Sequence, residues 1–529
     1  MSDAGISRQA VRWLSRVSYG LNQKMIERFV GLGTSDAQRW SAFLKEQLQS
    51  GNFSDPDTES RIQALSLTTL QKGVGELWAN HYLASRKKNM EKSADASVPM
   101  SAGQEKQSRK ARRELALEPV LDLEMATWLR IVESPFQIFE RMVEFWHDHF
   151  HVYGYEGRVA PGMVALNRDV IRVHALGNFR QLLAAVCRSP AMLFYLDNAF
   201  NQSGNPNENF ARELFELHTL GAENYLGTLE RERVGKDKQG RPLGYVDGDV
   251  YEAARAFTGW RVEDGTGGLS ANSGQFFYFE NWHDRFQKIV LGQSLPEHQA
   301  AMKDGDAVLD MLSSHPGTAR FVARKLCRRF VSDYPATNLV EKVADTFLRQ
   351  KDSPSQIRDV LMEILTSSEF LSDSTTKFKR PVDFFASILR SGSKRFDPSE
   401  KFIAGYQRAG QRLFGWRTPD GPPDFGIPWQ SPQSLIERWR FAQQIVLGQI
   451  PGCEMEITNI KDLFTPAAMV GLLSRQLFVV PPADPLNSQL LKRAAGGRRM
   501  DVELPVNLVR ERMSQIFELA LMSPEFQLR

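Results

Sequence analysis

Apolar residues recur every three to four positions along most of the chain, which is the spacing of one buried face of an α-helix. Clear examples are residues 136–150, 179–196, 209–220, 319–331 and 357–371. Residues 275–280 are the best strand candidate, but they are too isolated to support a sheet domain. The pattern therefore predicts a mainly α, multi-helix fold with at most a minor β element.

The length of 529 residues exceeds what one hydrophobic core usually holds, so we expect two packed helical units. We place an N-terminal unit at residues 1–300 and a C-terminal unit at residues 301–529. Two polar stretches interrupt the helical pattern of the first unit. Residues 86–114 are basic and almost free of large apolar side chains, which is typical of a mobile insert. Residues 228–242 form a second polar insert with glycine and proline turn formers.

The composition argues against several classes of protein. Apolar residues make up 42% and charged residues 24% of the chain, which are ordinary globular values, and a net charge of +3 gives no nucleic-acid footprint. Three widely spaced cysteines indicate neither a disulfide framework nor a thiolate zinc site. No window approaches the roughly 18 apolar residues of a membrane span, and the first residues contain no apolar signal segment. We therefore expect a soluble, cytoplasmic protein from the sequence as written.

Three of the nine histidines fall within five positions, at His147, His149 and His151. On a helical wheel His149 lies inside the apolar arc of its helix, and His147 lies just past the edge of that arc. His151 lies on the polar side together with Glu144. A buried imidazole costs free energy unless its ring nitrogens find partners. We therefore expect His149 to meet a hydrogen-bond acceptor, a carboxylate or a metal ion inside the fold.

A second helix, predicted at residues 207–221, carries two ionisable side chains within its apolar face. The wheel places Glu213 and His218 among leucines, and a buried unmatched Glu is uncommon. Two interpretations stay open. The two side chains form a buried hydrogen-bonded network without chemistry, or they join His149 as metal ligands or as a catalytic acid–base pair.

The loop pair His283-Asp284 is a weaker candidate, because a neighbouring Asp either ligates a metal with the His or only orients its imidazole. The chain contains no Gly-Lys-Ser/Thr phosphate loop, no Gly-x-Gly-x-x-Gly turn and no Gly-x-Ser-x-Gly elbow. It also contains no His-Glu-x-x-His and no Cys-x-x-Cys motif. The sequence thus points to a polar site but matches no known catalytic motif in full.

A series of short segments, two of them Phe145-Trp-His-Asp-His-Phe150 and Thr418-Pro-Asp-Gly-Pro-Pro-Asp424, follows one order along the chain. The others are residues 10–20, 176–180, 190–198, 207–221, 253–260, 283–284, 315–326 and 377–383. Together they resemble an uncharacterised bacterial family, domain of unknown function 1800, over roughly residues 8–450. The resemblance implies little mechanism. It implies export for many members and a co-encoded partner that is similar to sulfatases and alkaline phosphatases, which leaves export of this chain through a partner open.

We hypothesise that these groups line one polar pocket. The predicted metal ligands, for zinc, iron or manganese, are His149, His147, Glu213, His283 and Asp284. The predicted catalytic groups are Glu213 and His218, and metal-dependent hydrolysis is preferred over oxidation. The alternative is a non-enzymatic assembly or partner-binding protein whose buried His and Glu network is structural.

Overall fold

Helices make up most of the chain that the computed structural model describes, namely residues 5–48, 53, 55–87, 101–268, 270–372, 376–456 and 464–529. Up to residue 300 the α-helices are Arg8–Val17, Gln23–Gly31, Asp36–Gln47, Pro56–Ala64, Val74–Leu77, Ala102–Glu133, Gln137–His149, Ala160–Ala165, Arg172–His174, Phe179–Cys187, Pro190–Tyr195, Asn209–Glu213 and Asp247–Ala256. After residue 300 they are Lys303–Ser313, Pro316–Phe330, Thr337–Arg349, Gln356–Leu365, Ser368–Leu371, Pro381–Gly392, Glu400–Tyr406, Pro432–Val446, Pro466–Leu477, Leu486–Ala495, Val506–Met522 and Pro524–Gln527. The predicted mainly α fold class is confirmed. Within these ranges no helix combines the length and the apolar character needed to cross a lipid bilayer.

Side-chain caps explain where many of these helices begin. Ser7, Asn22 and Ser35 each accept a hydrogen bond from the backbone N–H three residues further on. Proline occupies the first turn of the Pro316–Phe330 and Pro381–Gly392 helices, where its missing N–H removes no helical hydrogen bond. Local sequence therefore sets the start of the elements that later position the site.

Among the described residues, three segments have the wider π-helical turn, in which the backbone hydrogen bond joins residues five apart. They are Trp78–Leu83, Leu166–Ile171 and Leu214–Thr219, and each continues an α-helix directly. π-Helical turns are frequent at functional sites. The second and third carry residues that contact histidines of the Gln137–His149 helix.

Six short strands form three antiparallel pairs in the described ranges. The pairs are Trp260–Val262 with Phe276–Tyr278, Lys288–Val290 with Gln293–Leu295, and Ser393–Phe396 with Cys453–Met455. The strand predicted at residues 275–280 is therefore present, with Trp260 opposite Tyr278. Each pair is a two-stranded sheet, so helices and not sheets build the core.

One hydrophobic cluster of buried residues runs from Ile6 to Phe526 and includes both predicted units. The N-terminal helices contribute to this continuity, because the indole N–H groups of Trp13 and Trp40 donate to the carbonyls of Leu371 and Leu365. The packed core therefore continues across residue 300, where the sequence was divided into two predicted units.

The two predicted inserts differ in structure. Part of the basic stretch, residues 88–100, lies outside the described residues. From Ala102 onward the structure has the exposed first half of the Ala102–Glu133 helix, whereas the sequence suggested an insert without regular structure. The reason is local: Ser101 and Gln104 form a capping box, and charged side chains pair at four-residue spacing, as in Arg109 with Glu105. Residues 228–242 are mostly exposed, as expected for a polar insert.

Gly405 shows how closely the C-terminal helices pack. It is buried in the Glu400–Tyr406 helix, and a methyl group there would overlap the ring of Phe441. We expect Gly405→Ala to lower the free energy of unfolding by about 1–3 kcal/mol, because the ring would have to move in a filled core. Gly471→Ala is the matched control, since that helical position has only the Arg475 guanidinium at 3.8 Å and gains about 0.5–1 kcal/mol in helix propensity. Urea denaturation measures both free energies of unfolding. A change of the same sign in the two variants would contradict this packing.

Candidate functional site

His149 and His218 meet in the interior, where the last turn of the Gln137–His149 helix contacts the π-helical segment Leu214–Thr219. The Nε2–H of His149 donates to the carbonyl oxygen of His218 at 3.1 Å, and the two ring centroids lie 6.2 Å apart. Both side chains are buried. Nδ1 of His149 and Nε2 of His218 have no hydrogen-bond partner in the described chain. Nε2 of His81 is also buried without a partner among the described residues, so what distinguishes this pair is that its two rings lie beside each other.

The pKa values of both imidazoles are lowered. Burial lowers the pKa of His149 well below its usual range, and the nearby positive charge of Lys325 lowers it further. Burial, followed by Lys325, lowers the pKa of His218 to about 3. Both rings are therefore neutral at pH 7. Because Nε2 of His149 carries the proton that it donates, its Nδ1 carries a free lone pair.

Lys325 lies on the Pro316–Phe330 helix on the side that faces these histidines. Its Nζ is 5.5 Å from the centre of the Phe321 ring, which also lies 6.1 Å from the His149 ring. Burial lowers the pKa of Lys325 to about 8, although the carboxylates of Asp424 and Asp148 oppose the shift. The ammonium group therefore changes its charge close to neutral pH.

Glu213 precedes the π-helical segment and is half-buried. Burial raises the pKa of its carboxyl group, and the carboxylates of Glu216 and Asp420 raise it further while Arg212 opposes the shift. Burial and then the charge of Glu213 raise the pKa of Tyr195. The Tyr195 hydroxyl donates to the carbonyl of Arg417 at 2.9 Å. The predicted acidic residue thus precedes His218 on the same helical run, and its charge interacts with that of Asp420.

His147 and His151 have partners of their own. The side-chain amide of Asn167, in the π-helical segment Leu166–Ile171, lies 2.9 Å from Nε2 of His147. Nε2 of His151 lies 2.7 Å from the carbonyl oxygen of Trp416. His151 is buried, although the helical wheel placed it on the polar side. Burial lowers the pKa of His147 to about 3, so this ring is also neutral.

His283 and Asp284 belong to a separate network. Nδ1 of His283 lies 2.9 Å from the carbonyl oxygen of Thr258, and its Nε2 lies 3.2 Å from a carboxylate oxygen of Asp304. Asp284 accepts two hydrogen bonds from the guanidinium group of Arg255, at 2.8 and 3.0 Å. The structure therefore does not bring this loop pair to the His149–His218 pair.

A site for a divalent transition metal requires several donor side chains that lie close together and are free to bind the ion. Catalytic zinc sites use three protein ligands. Of the predicted ligands His149, His147, Glu213, His283 and Asp284, all except Glu213 already form hydrogen bonds to protein groups. Within the described ranges no three His, Cys, Asp or Glu side chains are grouped so that they could hold a metal ion. The donor set does not fit such a metal.

Sequence reasoning missed a buried ionic network next to the histidine pair. Glu144 was assigned to a polar helix face, but it is buried. Its carboxylate lies 2.6 Å from Nη2 of Arg380 and 3.2 Å from Nη1 of Arg329, and it accepts a hydrogen bond from the Tyr19 hydroxyl at 2.8 Å. The physical reason is that other helices cover this face and bring two guanidinium groups that compensate the charge.

The network extends along one side of the Gln137–His149 helix. Asp148 lies 2.7 Å from Arg329 and 2.8 Å from Arg380, and Asp424 lies 2.6 Å from Arg329. Arg141, Glu144 and Asp148 follow one another at spacings of three and four residues, so they share one helix face, which is the signal that could have revealed the network.

Comparison with known proteins agrees with the resemblance noted in the sequence. The model of the family described as "Protein of unknown function (DUF1800)" matches residues 12–528. The chain belongs to this family. The match continues past residue 450 through the Val506–Met522 helix, a region in which the sequence motifs gave no assignment. No curated protein and no solved structure matches the chain.

Four of the segments that carry the DUF1800 resemblance converge in the fold. The Phe145–Phe150 run supplies Asp148 and His149, residues 315–326 supply Lys325, residues 377–383 supply Arg380, and residues 418–424 supply Asp424. These segments are far apart in sequence, yet ion pairs and shifted pKa values join them. The candidate site of this DUF1800 protein is therefore the junction of the histidine pair, Lys325 and the ionic network.

Proposed function

We propose that the chain is an enzyme that uses acid–base and electrostatic catalysis at the His149–His218 pair, and that its reaction is hydrolysis. One observation carries the proposal: two neutral imidazoles with unpartnered nitrogens lie close to a lysine that titrates near pH 8. A merely structural histidine normally has its buried nitrogens satisfied. Groups whose pKa values are shifted in a cluster are instead typical of catalytic sites.

His149 is the candidate for activating water. Its Nδ1 has a lone pair and no protein partner, so it can accept a hydrogen bond from a water molecule. As the water oxygen bonds to the carbon or phosphorus of an ester, the water proton passes to Nδ1. The carbonyl of His218 holds the ring in the orientation that this role requires.

Lys325 and Glu213 supply the complementary charges. The Lys325 ammonium group is positive below about pH 8 and stabilises the negative charge that develops on the substrate oxygen. Glu213, whose carboxyl pKa is raised, gives its proton to the leaving oxygen as the ester bond breaks. The proton on His149 then returns to Glu213 through solvent. Both side chains are partly buried, less covered than the two imidazoles.

A substrate panel tests the proposal on untagged protein. The panel contains chromogenic carboxyl esters, phosphomonoesters, phosphodiesters and amides, each assayed from pH 5 to pH 10. We expect turnover of one class, with activity that is lost as the pH rises through about 8, where Lys325 loses its charge. Turnover of no class, or turnover without a transition in this range, would contradict the proposal.

The predicted zinc, iron or manganese ion stays a prediction, for which the same preparation provides a test. Because the donor set does not fit, we expect a metal content far below one ion per chain. Metal analysis before and after His149→Ala measures this. A stoichiometric metal that disappears in the variant would show that the ligands rearrange around an ion, and it would restore metal-dependent hydrolysis.

The alternative, an assembly or partner-binding protein, is favoured by one observation. His147, His151, His283 and Asp284 all bond to groups within the fold, as structural residues do. On this alternative the co-encoded partner that the family resemblance implies is captured equally by wild type and by His218→Asn. Capture together with an absence of turnover would favour assembly over catalysis.

A further inference from the structure

A cavity of about 330 Å³ lies on the other side of the ionic network, away from the histidine pair. It is enclosed by the Arg8–Val17 helix, the Pro381–Gly392 helix and the last residues of the chain. Five cationic side chains line it: Arg8, Arg12, Arg141, Lys379 and Arg529. The volume matches the lower end of small-molecule pockets.

The carboxylates at the cavity leave a surplus of positive charge. Only Asp383 and Glu525 are among the lining residues. Asp383 is already shared, because it lies 2.5 Å from Nη1 of Arg141 and 3.6 Å from Nη1 of Arg529. Glu525 is exposed to solvent, where its charge is screened. The three positive charges of Arg141, Arg529 and Lys379 therefore share one buried lining carboxylate, Asp383.

In the described chain Lys379 has no carboxylate partner, and Arg529 has only the long contact with Asp383. Nζ of Lys379 donates to the Ser387 hydroxyl at 3.1 Å and lies 3.9 Å from the centre of the Phe526 ring. Within the described residues no carboxylate lies within 4.0 Å of that nitrogen. The Arg529 side chain is 3% exposed, and its Nε and Nη1 form no hydrogen bond. Buried cations without anions are costly, so the arrangement is suited to a ligand that supplies the missing charge.

The lining of the cavity also contains apolar side chains. They include Leu21, Leu477, Phe478 and Phe526, next to the cationic side chains. A ligand that fits both kinds of side chain has an anionic group at one end and an apolar body at the other. The surplus of cations favours a dianion over a monoanion, and guanidinium groups bind phosphate oxygens with good geometry.

We infer that this cavity binds a small phosphate monoester with an apolar body, with the phosphate between Lys379, Arg529 and Arg141. The site goes beyond the proposed catalytic function, because none of the lining residues belongs to the His149–His218 pair or is Lys325. Its phosphate ligand remains bound and is not turned over there.

The charge of Lys379 couples binding to pH. Burial lowers the pKa of Lys379 to about 7; Asp383 opposes the shift, and Arg529, Arg438 and Arg141 add to it. A bound phosphate favours the protonated form, so binding takes up a proton above about pH 7. Affinity is therefore highest between about pH 6, below which the monoester loses its second negative charge, and pH 7, above which Lys379 loses its positive charge.

Calorimetry with phenyl phosphate, inorganic phosphate and benzoate tests the inference on the full chain. We expect one phenyl phosphate per chain, weaker binding of inorganic phosphate, which lacks the apolar body, and weaker binding of the monoanion benzoate. Lys379→Met and Arg529→Met should each weaken phenyl phosphate binding at least about tenfold. Lys492→Met, at an exposed lysine outside the cavity, should leave it unchanged.

Wild-type protein gives a second readout that does not depend on how the variants fold. The heat of phenyl phosphate binding at pH 8, measured in two buffers of different ionisation enthalpy, should show proton uptake. Absence of saturable phenyl phosphate binding would overturn the inference. So would unchanged affinity in both cavity variants, or tighter binding of benzoate than of phenyl phosphate.

Discussion

Glu144→Gln is expected to lower the free energy of unfolding by about 3 kcal/mol. The substitution keeps the size of the side chain but removes its charge, which leaves the guanidinium groups of Arg329 and Arg380 with one carboxylate fewer in the interior. Removing one partner of a buried ion pair typically costs about 3–5 kcal/mol. The lower end applies here because both arginines keep Asp148. The midpoint of urea denaturation measures the effect.

The matched control for this prediction is Glu341→Gln. Glu341 pairs with Arg320 at 3.1 Å, but both side chains are about half-exposed, at 48% each. Exposed pairs contribute about 0–1 kcal/mol, so the control should change little. A Glu144→Gln midpoint as close to wild type as that of the control would mean that the network does not hold the helices together.

Lys325→Met and His149→Gln are expected to lower turnover about 100-fold or more. General acid–base groups typically contribute 10²–10⁴-fold and a positioned electrostatic group a similar factor, which corresponds to roughly 3 kcal/mol or more of transition-state stabilisation. Lys325→Met should also remove the loss of activity near pH 8, because no ammonium group remains to titrate. Steady-state kinetics on the substrate class identified by the panel measure both effects.

Two comparisons separate this expectation from a loss of folding. His298→Asn makes the same kind of change at an exposed histidine with a φ of 55°, a conformation that asparagine tolerates, and it should keep full turnover. His218→Asn and Glu213→Gln should lower turnover but change the free energy of unfolding by no more than about 1 kcal/mol. Equal turnover in the control and in the Lys325 variant would remove Lys325 from the mechanism.

Helical periodicity was sufficient to predict the helical fold and the burial of His149, because both depend on the face of a single helix. It was not sufficient to predict the partner of His149. That partner is a backbone carbonyl in a π-helical segment, and the sequence pattern of a 3.6-residue repeat carries no signal for a wider turn. His218 was correctly placed in the interior, but its distance from His149 depends on tertiary packing.

Glu144 shows the limit of the wheel more clearly. A wheel ranks the faces of one helix, but it does not show how many neighbours cover that helix. The Gln137–His149 helix is buried along nearly its whole length, so its charged residues lie inside with the hydrophobic ones. Arg329 and Arg380 come from segments about 185 and 236 residues away in sequence, and no local pattern connects them to Glu144.

The pair His283-Asp284 failed to join the predicted pocket for a related reason. Adjacent residues in a loop can face many directions, and the direction here is set by Thr258 and Arg255, which precede the loop by 25 residues or more. The two residues therefore form an ion-paired network in place of a shared metal site. Their spacing in the sequence was compatible with both outcomes.

The central claim is that His149 and His218 form a pair of neutral imidazoles, whose pKa values are lowered by burial and by the charge of Lys325. Nitrogen NMR of protein labelled with ¹⁵N-histidine, assigned with His149→Gln and His218→Asn and recorded from pH 8 to pH 5, tests it most directly. The account predicts that both imidazoles stay neutral throughout, with the proton of His149 on Nε2. Protonation of either ring between pH 6 and pH 7, as for a histidine in water, would contradict it.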